Sequence, residues 1–290
     1  MDKIKKVSTS FVENGWLVLD LAHGDKSVVH TIRSELLSEL QKKWIPELDS
    51  LEDYHLHIEE QDRHIEIQSA LSIFYQESGF GPALIQENLT FFNEFLGLDL
   101  HVQKFPYLRI ARPEKYQDNI GIHRDTHYGS SPYELSVSIP FTNNGEDGSL
   151  GVVSGTHLLS ESSLPVTQFK SDDVDQGSIK HKLGFLYAPK TMSKEVRDSV
   201  KPIPLMVGQA LIFSLSLVHG QEVNRSKATR FQSDIRVVNS MAPIQWERSV
   251  HQNYYEPLCA SAVTTQAKQY LDANANANAN ANANANANAN

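Results

Sequence analysis

The spacing of hydrophobic and polar positions changes near residue 100, and the change predicts helices first and strands afterwards. From Ser27, apolar residues Val28, Val29, Ile32, Leu36, Leu37 and Leu40 recur every three to four positions, the period of a helix with one buried stripe, and Pro46 marks its stop. The stretch "PALIQENLTFFNEFLG" repeats the pattern with Leu84, Ile85, Leu89, Phe92, Phe95 and Leu96, which predicts a helix ending at Gly97. Ahead of both, "FVENGWLVLDL" (residues 11–21) places a turn-like Asn14-Gly15 before a short apolar run, as in a strand entering the edge of a sheet.

After Leu100 the runs are short, rich in β-branched and aromatic residues, and separated by Gly, Pro, Asn and Asp: "HVQKFPYLRIA", "ELSVSIPFT", "GSLGVVSG", "LGFLYA", "ALIFSLSLV" and "TRFQSDIRVVN". They predict a mainly β body, a sandwich or barrel, behind N-terminal helices. The segment from Leu158 to about Lys182 is polar and aperiodic, which predicts a long loop acting as a cover. From Ala273 the chain is an Ala-Asn repeat with no charge and no large apolar side chain, expected to be a disordered tail. The expected organisation is one domain over residues 1–272, with a helical part over about 1–98 and a β core over about 99–245, followed by the tail at 273–290.

Composition narrows the partners. With 26 basic and 35 acidic residues the formal charge is -9, and no basic run is present to release counterions from a nucleic-acid backbone, so nucleic acid is not expected as a partner. No segment has the apolar length of a membrane span, and the first residues lack the pattern of an export signal. The single cysteine, Cys259, excludes an internal disulfide framework and a thiolate zinc site, and points to a reducing cytoplasm. These features fit a soluble protein that is not exported.

The chemistry concentrates in "GIHRDTHYG" (residues 121–129), where His123, Asp125 and His127 fall within five positions after a strand-like run. Alternate residues of an extended segment point the same way, so His123 and Asp125 are able to present two ligands to one ion. His23-Gly24-Asp25 has the same spacing but sits in a connection before the first helix and reads as a turn or cap. The third ligand is expected to be His219, 94 positions beyond Asp125, at the end of an apolar strand where Gly220 permits a sharp exit. Two histidines and a carboxylate leave further positions on the ion open, an arrangement suited to Fe(II) and O₂. Arg230, eleven positions after His219, suits a two-bond grip on a carboxylate such as that of 2-oxoglutarate. Arg225 competes for that role but reads as loop. His127 with His123 and His219 would instead make a zinc site for hydrolysis, and a barrel without catalysis would be a ligand-binding module. Arg109, Arg112 and Lys115, upstream of the triplet, are candidates for an anionic substrate, as is His127 at the pocket mouth. The cluster of His55, His57, Glu59, Glu60, Asp62 and His64 reads as a solvated face, and His157 as a turn residue.

Four stretches together resemble the phytanoyl-CoA dioxygenase family of Fe(II)/2-oxoglutarate oxygenases, across about residues 11–240: "FVENGWLVL", "GIHRDTH", "ELSVSIPFTNNGEDGSLGVVSGTH" and "GQALIFSLSLVHGQEVNRSKATR". The separation of His219 from Arg230 is the most specific element. The resemblance implies a double-stranded β-helix (a jelly-roll, cupin-like fold) braced by the helices, with His123, Asp125 and His219 holding Fe(II) and Arg230 holding 2-oxoglutarate. It implies oxidation of a substrate C–H bond by O₂ with loss of CO₂ from 2-oxoglutarate. Halogenases of similar sequence lack the carboxylate ligand, so Asp125 implies hydroxylation or a related oxidation. Gln209 stands where the family often has Asp, and Ser154 where Pro is common, which implies a divergent member whose substrate need not be an acyl-CoA.

Overall fold

The computed structural model describes residues 2–22, 24, 26–164, 166–168, 190–244 and 253–287. Six helices open the chain: α1 (Asp2–Asn14), α2 (Val28–Lys43), α3 (Tyr54–His57), α4 (Gln61–Glu77), α5 (Phe80–Glu87) and α6 (Leu89–Leu96), with strand β1 (Trp16–Asp20) between the first two. Strands β2 (Leu100–Gln103), β3 (Tyr107–Ala111), β4 (Leu135–Pro140), β5 (Gly151–Val153), β6 (Val166–Gln168), β7 (Lys190–Met192), β8 (Lys201–Pro202), β9 (Gln209–Ser214), β10 (Val218–Gly220), β11 (Arg230–Asn239) and β12 (Tyr255–Pro257) follow. Mostly antiparallel sheet with helices is thus the architecture. No helix among the described residues is long and apolar enough to cross a membrane.

The main sheet has the order β1-β9-β4-β11-β2-β12, with β3 also paired to β11, and β1 is the edge strand that its sequence predicts. A smaller sheet has the order β10-β5-β8. Alternation along the strands divides the main sheet into two faces. On one, Val137, Ile139, Ile212, Phe231, Ile235 and Val237 join Val29, Ile32, Leu36, Leu40, Leu71, Tyr75 and Phe92 of the helices in the largest core cluster. Each such side chain removed from water contributes about 1.5–3 kcal/mol, so this layer anchors the sheet. On the other face, Leu211 and Phe213 of β9 pack with Val152, Leu205 and Leu217, linking the main sheet to the smaller one. The same inner face carries Arg230, Gln232, Asp234 and Arg236 of β11, which alternate with the core residues of that strand.

Several boundaries differ from the periodicity. The helix predicted through Leu96 breaks at Asn88, whose Nδ2 donates to the Leu84 carbonyl (2.9 Å) while its Oδ1 accepts the Ala22 amide (2.9 Å). A side chain that caps one helix and ties it to a distant loop leaves no pattern of hydrophobicity. Gly97 ends α6 as expected, at φ +87°. "HVQKFPYLRIA" and "ALIFSLSLV" each form two strands. "LGFLYA" (residues 183–188) and most of the predicted cover, residues 165 and 169–182, lie outside the described residues. The C-terminal helix Ala262–Ala287 runs into the Ala-Asn repeat for which composition predicts disorder. Alanine is the strongest helix former, and residues 265–275 of this helix are exposed.

The acidic stretch at 55–64 is not uniformly solvated. His64 is fully buried, with Nδ1 3.2 Å from the Tyr54 hydroxyl and Nε2 3.5 Å from Asp118. Burial depresses its pKa from 6.5 to about 4, with Asp118 opposing and Arg112 reinforcing the shift. Between these values the unfolded chain binds a proton that folded His64 refuses, so stability is complete above about pH 6.5 and falls as pH drops towards 4. Urea unfolding across this window should show His64→Asn flattening the slope by about one proton, ~1.4 kcal/mol per pH unit. An unchanged slope would show that His64 does not carry the effect.

Candidate metal centre

An isolated antiparallel bridge joins His123 to His219. Each amide donates to the other residue's carbonyl, His123 N to His219 O and His219 N to His123 O, both at 2.9 Å. This reciprocal pair brings residues from two distant parts of the chain side by side, with ring centroids 4.5 Å apart. His219 is also the centre of β10, held to β5 opposite Val152, and its ring lies 4.4 Å from that of Phe213. The close approach requires glycine at 220, where φ is +139° and a Cβ would stand 2.1 Å from the Gly121 carbonyl oxygen.

The ring nitrogens are assigned by their partners. His123 Nδ1 lies 3.0 Å from the Gly121 carbonyl and His219 Nδ1 lies 3.0 Å from the Leu217 carbonyl. A carbonyl only accepts, so each Nδ1 carries a proton and each Nε2 is the nitrogen left to face a metal. Both Nε2 atoms face Asp125: His123 Nε2 is 3.4 Å from Oδ1 and His219 Nε2 is 3.8 Å from Oδ2. One ligand atom from each of the three buried residues falls within 4.8 Å of the others. Asp125 opens a short 3-10 turn, Asp125–Tyr128, directly after the bridge.

The electrostatics favour a cation. Burial works to raise the Asp125 carboxyl, but Arg236 and then the two histidines overcome it and hold it well below the ordinary carboxylate range. Burial, followed by the neighbouring His123, lowers His219 to about 4 against the opposing pull of Asp125, so its imidazole is neutral at neutral pH. Two imidazoles oriented by backbone carbonyls and one carboxylate are a donor set that fits Fe(II).

Arg236 was not singled out by sequence. Its Nη2 stands 2.8 Å from Asp125 Oδ2, and the two side chains are 11% and 10% exposed. Arg230, on the same face of β11, is also buried. Its Nη1 donates to Gly148 O (3.2 Å) and Gln221 Oε1, and its Nη2 to Asn119 Oδ1 (2.9 Å). These acceptors are all neutral. Burial lowers the Arg230 pKa only to about 10, so it stays charged at neutral pH. Arg225 instead lines a surface groove with Asp147 and Glu222.

The other candidates separate. Arg109, in β3 opposite Gln232, pairs with Asp234 at 3.1 Å on the inner face. Arg112 does not join the site: fully buried, it reaches Asp118 through Nε (2.8 Å) and Nη2 (3.0 Å), and donates to the carbonyls of Ile58 and Glu59. It fastens the segment between α3 and α4 to the end of β3. Lys115 lies just before a 3-10 turn, Tyr116–Asp118. His127 pairs through Nε2 with Glu161 and is not part of the three-residue cluster, which removes the ligand that the zinc alternative needs. His157 Nε2 lies 3.0 Å from the Val12 carbonyl, linking its turn to α1. His23 and Asp25 lie outside the described residues.

A family model described as phytanoyl-CoA dioxygenase (PhyH) matches residues 32–231. A comparison with curated protein sequences found no match. Among solved structures, the non-heme monooxygenase ThoJ is 16% identical over 80% of this chain and 77% of its own, with a TM-score of 0.47. AviO1 from Streptomyces viridochromogenes Tue57 is 16% identical over 83% of this chain and 96% of its own, at 0.47. The epimerase SnoN, solved with Fe3+, alpha ketoglutarate and nogalamycin RO, is 12% identical over 82% of this chain and 84% of its own, at 0.48. Likenesses this shallow carry no functional weight.

The bridge predicts unequal costs for two glycines. Gly220→Ala forces a Cβ onto backbone in a conformation that side chains rarely adopt, and should cost roughly 2–4 kcal/mol in urea unfolding. Gly121→Ala meets nothing within 4 Å and carries only the strain of its positive φ, about 1 kcal/mol. Equal losses would show that the close approach at Gly220 is not what demands glycine.

Proposed function

The chain belongs to the phytanoyl-CoA dioxygenase family, and from that premise we propose that it hydroxylates a small-molecule substrate while 2-oxoglutarate is decarboxylated to succinate. Fe(II), 2-oxoglutarate and O₂ are the cofactor and co-substrates that go with the family. The observation that carries the proposal is the convergence of His123 Nε2, His219 Nε2 and the Asp125 carboxylate on one point, with both Nδ1 protons turned away from it. In this reading His123, Asp125 and His219 hold the iron, which together with 2-oxoglutarate and O₂ supplies the oxidising chemistry. Presence of the carboxylate ligand favours hydroxylation over halogenation.

The chain's own residues do the positioning. The carbonyls of Gly121 and Leu217 fix the two imidazoles as Nε2 ligands. Arg230 is the grip for the distal carboxylate of 2-oxoglutarate, a buried cation whose contacts are neutral and which an anion completes. Phe213 and Leu217, both buried, flank His219 and limit water on that side. Arg109 and His127, each already paired with a carboxylate, are the side chains assigned to substrate contact; Arg112 is not. The main and smaller sheets, packed together through Leu211, Phe213, Val152 and Leu217, are taken as the two sides of a double-stranded β-helix. Residues 1–272 are taken as one oxygenase domain of a cytoplasmic enzyme without nucleic-acid or membrane partners.

Alanine at His123, Asp125 or His219 should lower Fe(II) affinity by at least about 100-fold in anaerobic titration and abolish succinate formation. His23→Ala and Asp25→Ala should leave both intact, and loss of iron in either would reassign the ligands. Arg230→Ala should retain the metal while raising the 2-oxoglutarate concentration for half-maximal activity roughly 10- to 100-fold, the worth of a charge-assisted bond or two. Arg230→Lys should recover only part, because an ammonium lacks the planar fork. A larger defect in Arg225→Ala would transfer the role to Arg225.

A further inference from the structure

Two buried arginines, Arg112 and Arg230, reach the same short turn, and the turn meets them differently. Asp118 ends the 3-10 turn Tyr116–Asp118, and Asn119 follows it directly. The Asp118 carboxylate faces Arg112 and accepts from its Nε at 2.8 Å, its Nη2 at 3.0 Å and its backbone amide at 3.0 Å. Asn119 faces Arg230, whose Nη2 donates to Oδ1 at 2.9 Å. The Asn119 side chain is oriented from its other end, where Nδ2 donates to the Lys115 carbonyl at 3.4 Å, so Oδ1 is the atom left for the guanidinium. One arginine thus receives its counter-charge from the turn, while the next residue offers the other an oxygen without the charge.

The remaining contacts of Arg230 follow the same rule. Its Nη1 donates to the neutral oxygens of Gly148 and Gln221, and its Nε is buried with no acceptor among the described residues. The opposite charge that acts on it, Asp234, is paired with Arg109. Resting on the oxygenase reading above, we propose that Asn119 is a positioning residue for the co-substrate: acting through Arg230, its amide holds the guanidinium in place and leaves the charge for the distal carboxylate of 2-oxoglutarate. An aspartate of the same shape at 119 would close an internal ion pair at Nη2, of the kind that Arg112 makes with Asp118, and an incoming carboxylate would have to displace it. The support behind Asn119 is stiff, because Asp118 is fastened to Arg112, and Arg112 to the carbonyls of Ile58 and Glu59. Arg112, which stands outside the metal cluster, in this way braces the grip on the co-substrate.

The test uses the full chain loaded with Co(II) under anaerobic conditions and titrated with 2-oxoglutarate in a calorimeter. Asn119→Asp should weaken 2-oxoglutarate binding at least about 30-fold and Asn119→Ala only about three- to tenfold, with Co(II) affinity in both within about threefold of wild type. In thermal melts the order should reverse, Asn119→Asp melting above Asn119→Ala, because the new ion pair strengthens the fold while it blocks the ligand. In an Arg230→Ala background Asn119→Ala should cost nothing further, as expected of a residue that acts only through that arginine. If Asn119→Asp does not fold, Gln221→Glu compared with Gln221→Ala puts the same charge on Nη1 and carries the comparison. A carboxylate variant that binds 2-oxoglutarate no more weakly than its alanine counterpart overturns the proposal. So does an undiminished loss for Asn119→Ala in the Arg230→Ala background. Wild-type protein that binds Co(II) but never 2-oxoglutarate would overturn the oxygenase reading instead, before any variant is compared.

Discussion

Two backbone hydrogen bonds between His123 and His219 set the geometry on which the centre depends. Side chains as small as imidazole have little reach, so ligands from distant parts of a chain meet only if their backbones are fixed to each other. The reciprocal bridge does this, and the glycine at 220 allows it, because any Cβ there would enter the Gly121 carbonyl. Each histidine then bonds through Nδ1 to the carbonyl two positions earlier in its own segment, so one local geometry, used twice, orients both rings. The helices contribute indirectly. They bury the outer face of the main sheet and so hold β9 and β11 where their inner faces meet the bridge.

β11 shows how one strand serves both purposes. Phe231, Ile235 and Val237 belong to the core under the helices, while Arg230, Gln232, Asp234 and Arg236 line the opposite face. The period of two permits this, and a shift of one residue would bury the arginines among apolar helices. The cost of placing charge inside is met by pairing: Arg109 with Asp234 at 3.1 Å, and Arg236 with Asp125 at 2.8 Å.

Much of this was legible because it is periodic or local. The apolar stripe of α2, the edge position of β1 and the strand-rich body follow from spacing alone. The His123/Asp125 pair and distant His219 were legible as a pattern, and the structure brings them together. The burial of Arg112 is not legible, because it depends on carbonyls more than fifty positions away, which no local window contains. The break at Asn88 depends likewise on a bond to Ala22. Arg236 was different, since its signal was present: polar residues at every second position from Arg230 announce an inward-facing row.

The two arginines also differ in a way that only the folded chain reveals. Arg236 has its counter-charge inside the protein, in Asp125. Arg230 is as deeply buried, yet it forms no ion pair among the described residues; Asn119, Gln221 and the Gly148 carbonyl orient it, and the opposite charge that acts on it, Asp234, is paired with Arg109. A chain that stabilises only its own fold gains nothing from a buried guanidinium set among neutral acceptors, because desolvating it costs several kcal/mol. The arrangement is favourable when an anion arrives from outside and the acceptors have already fixed the direction of the fork. Two buried guanidinium groups on one face of one strand are thus stabilised in different ways, Arg236 by a carboxylate beside it and Arg230 by three neutral acceptors that fix its direction.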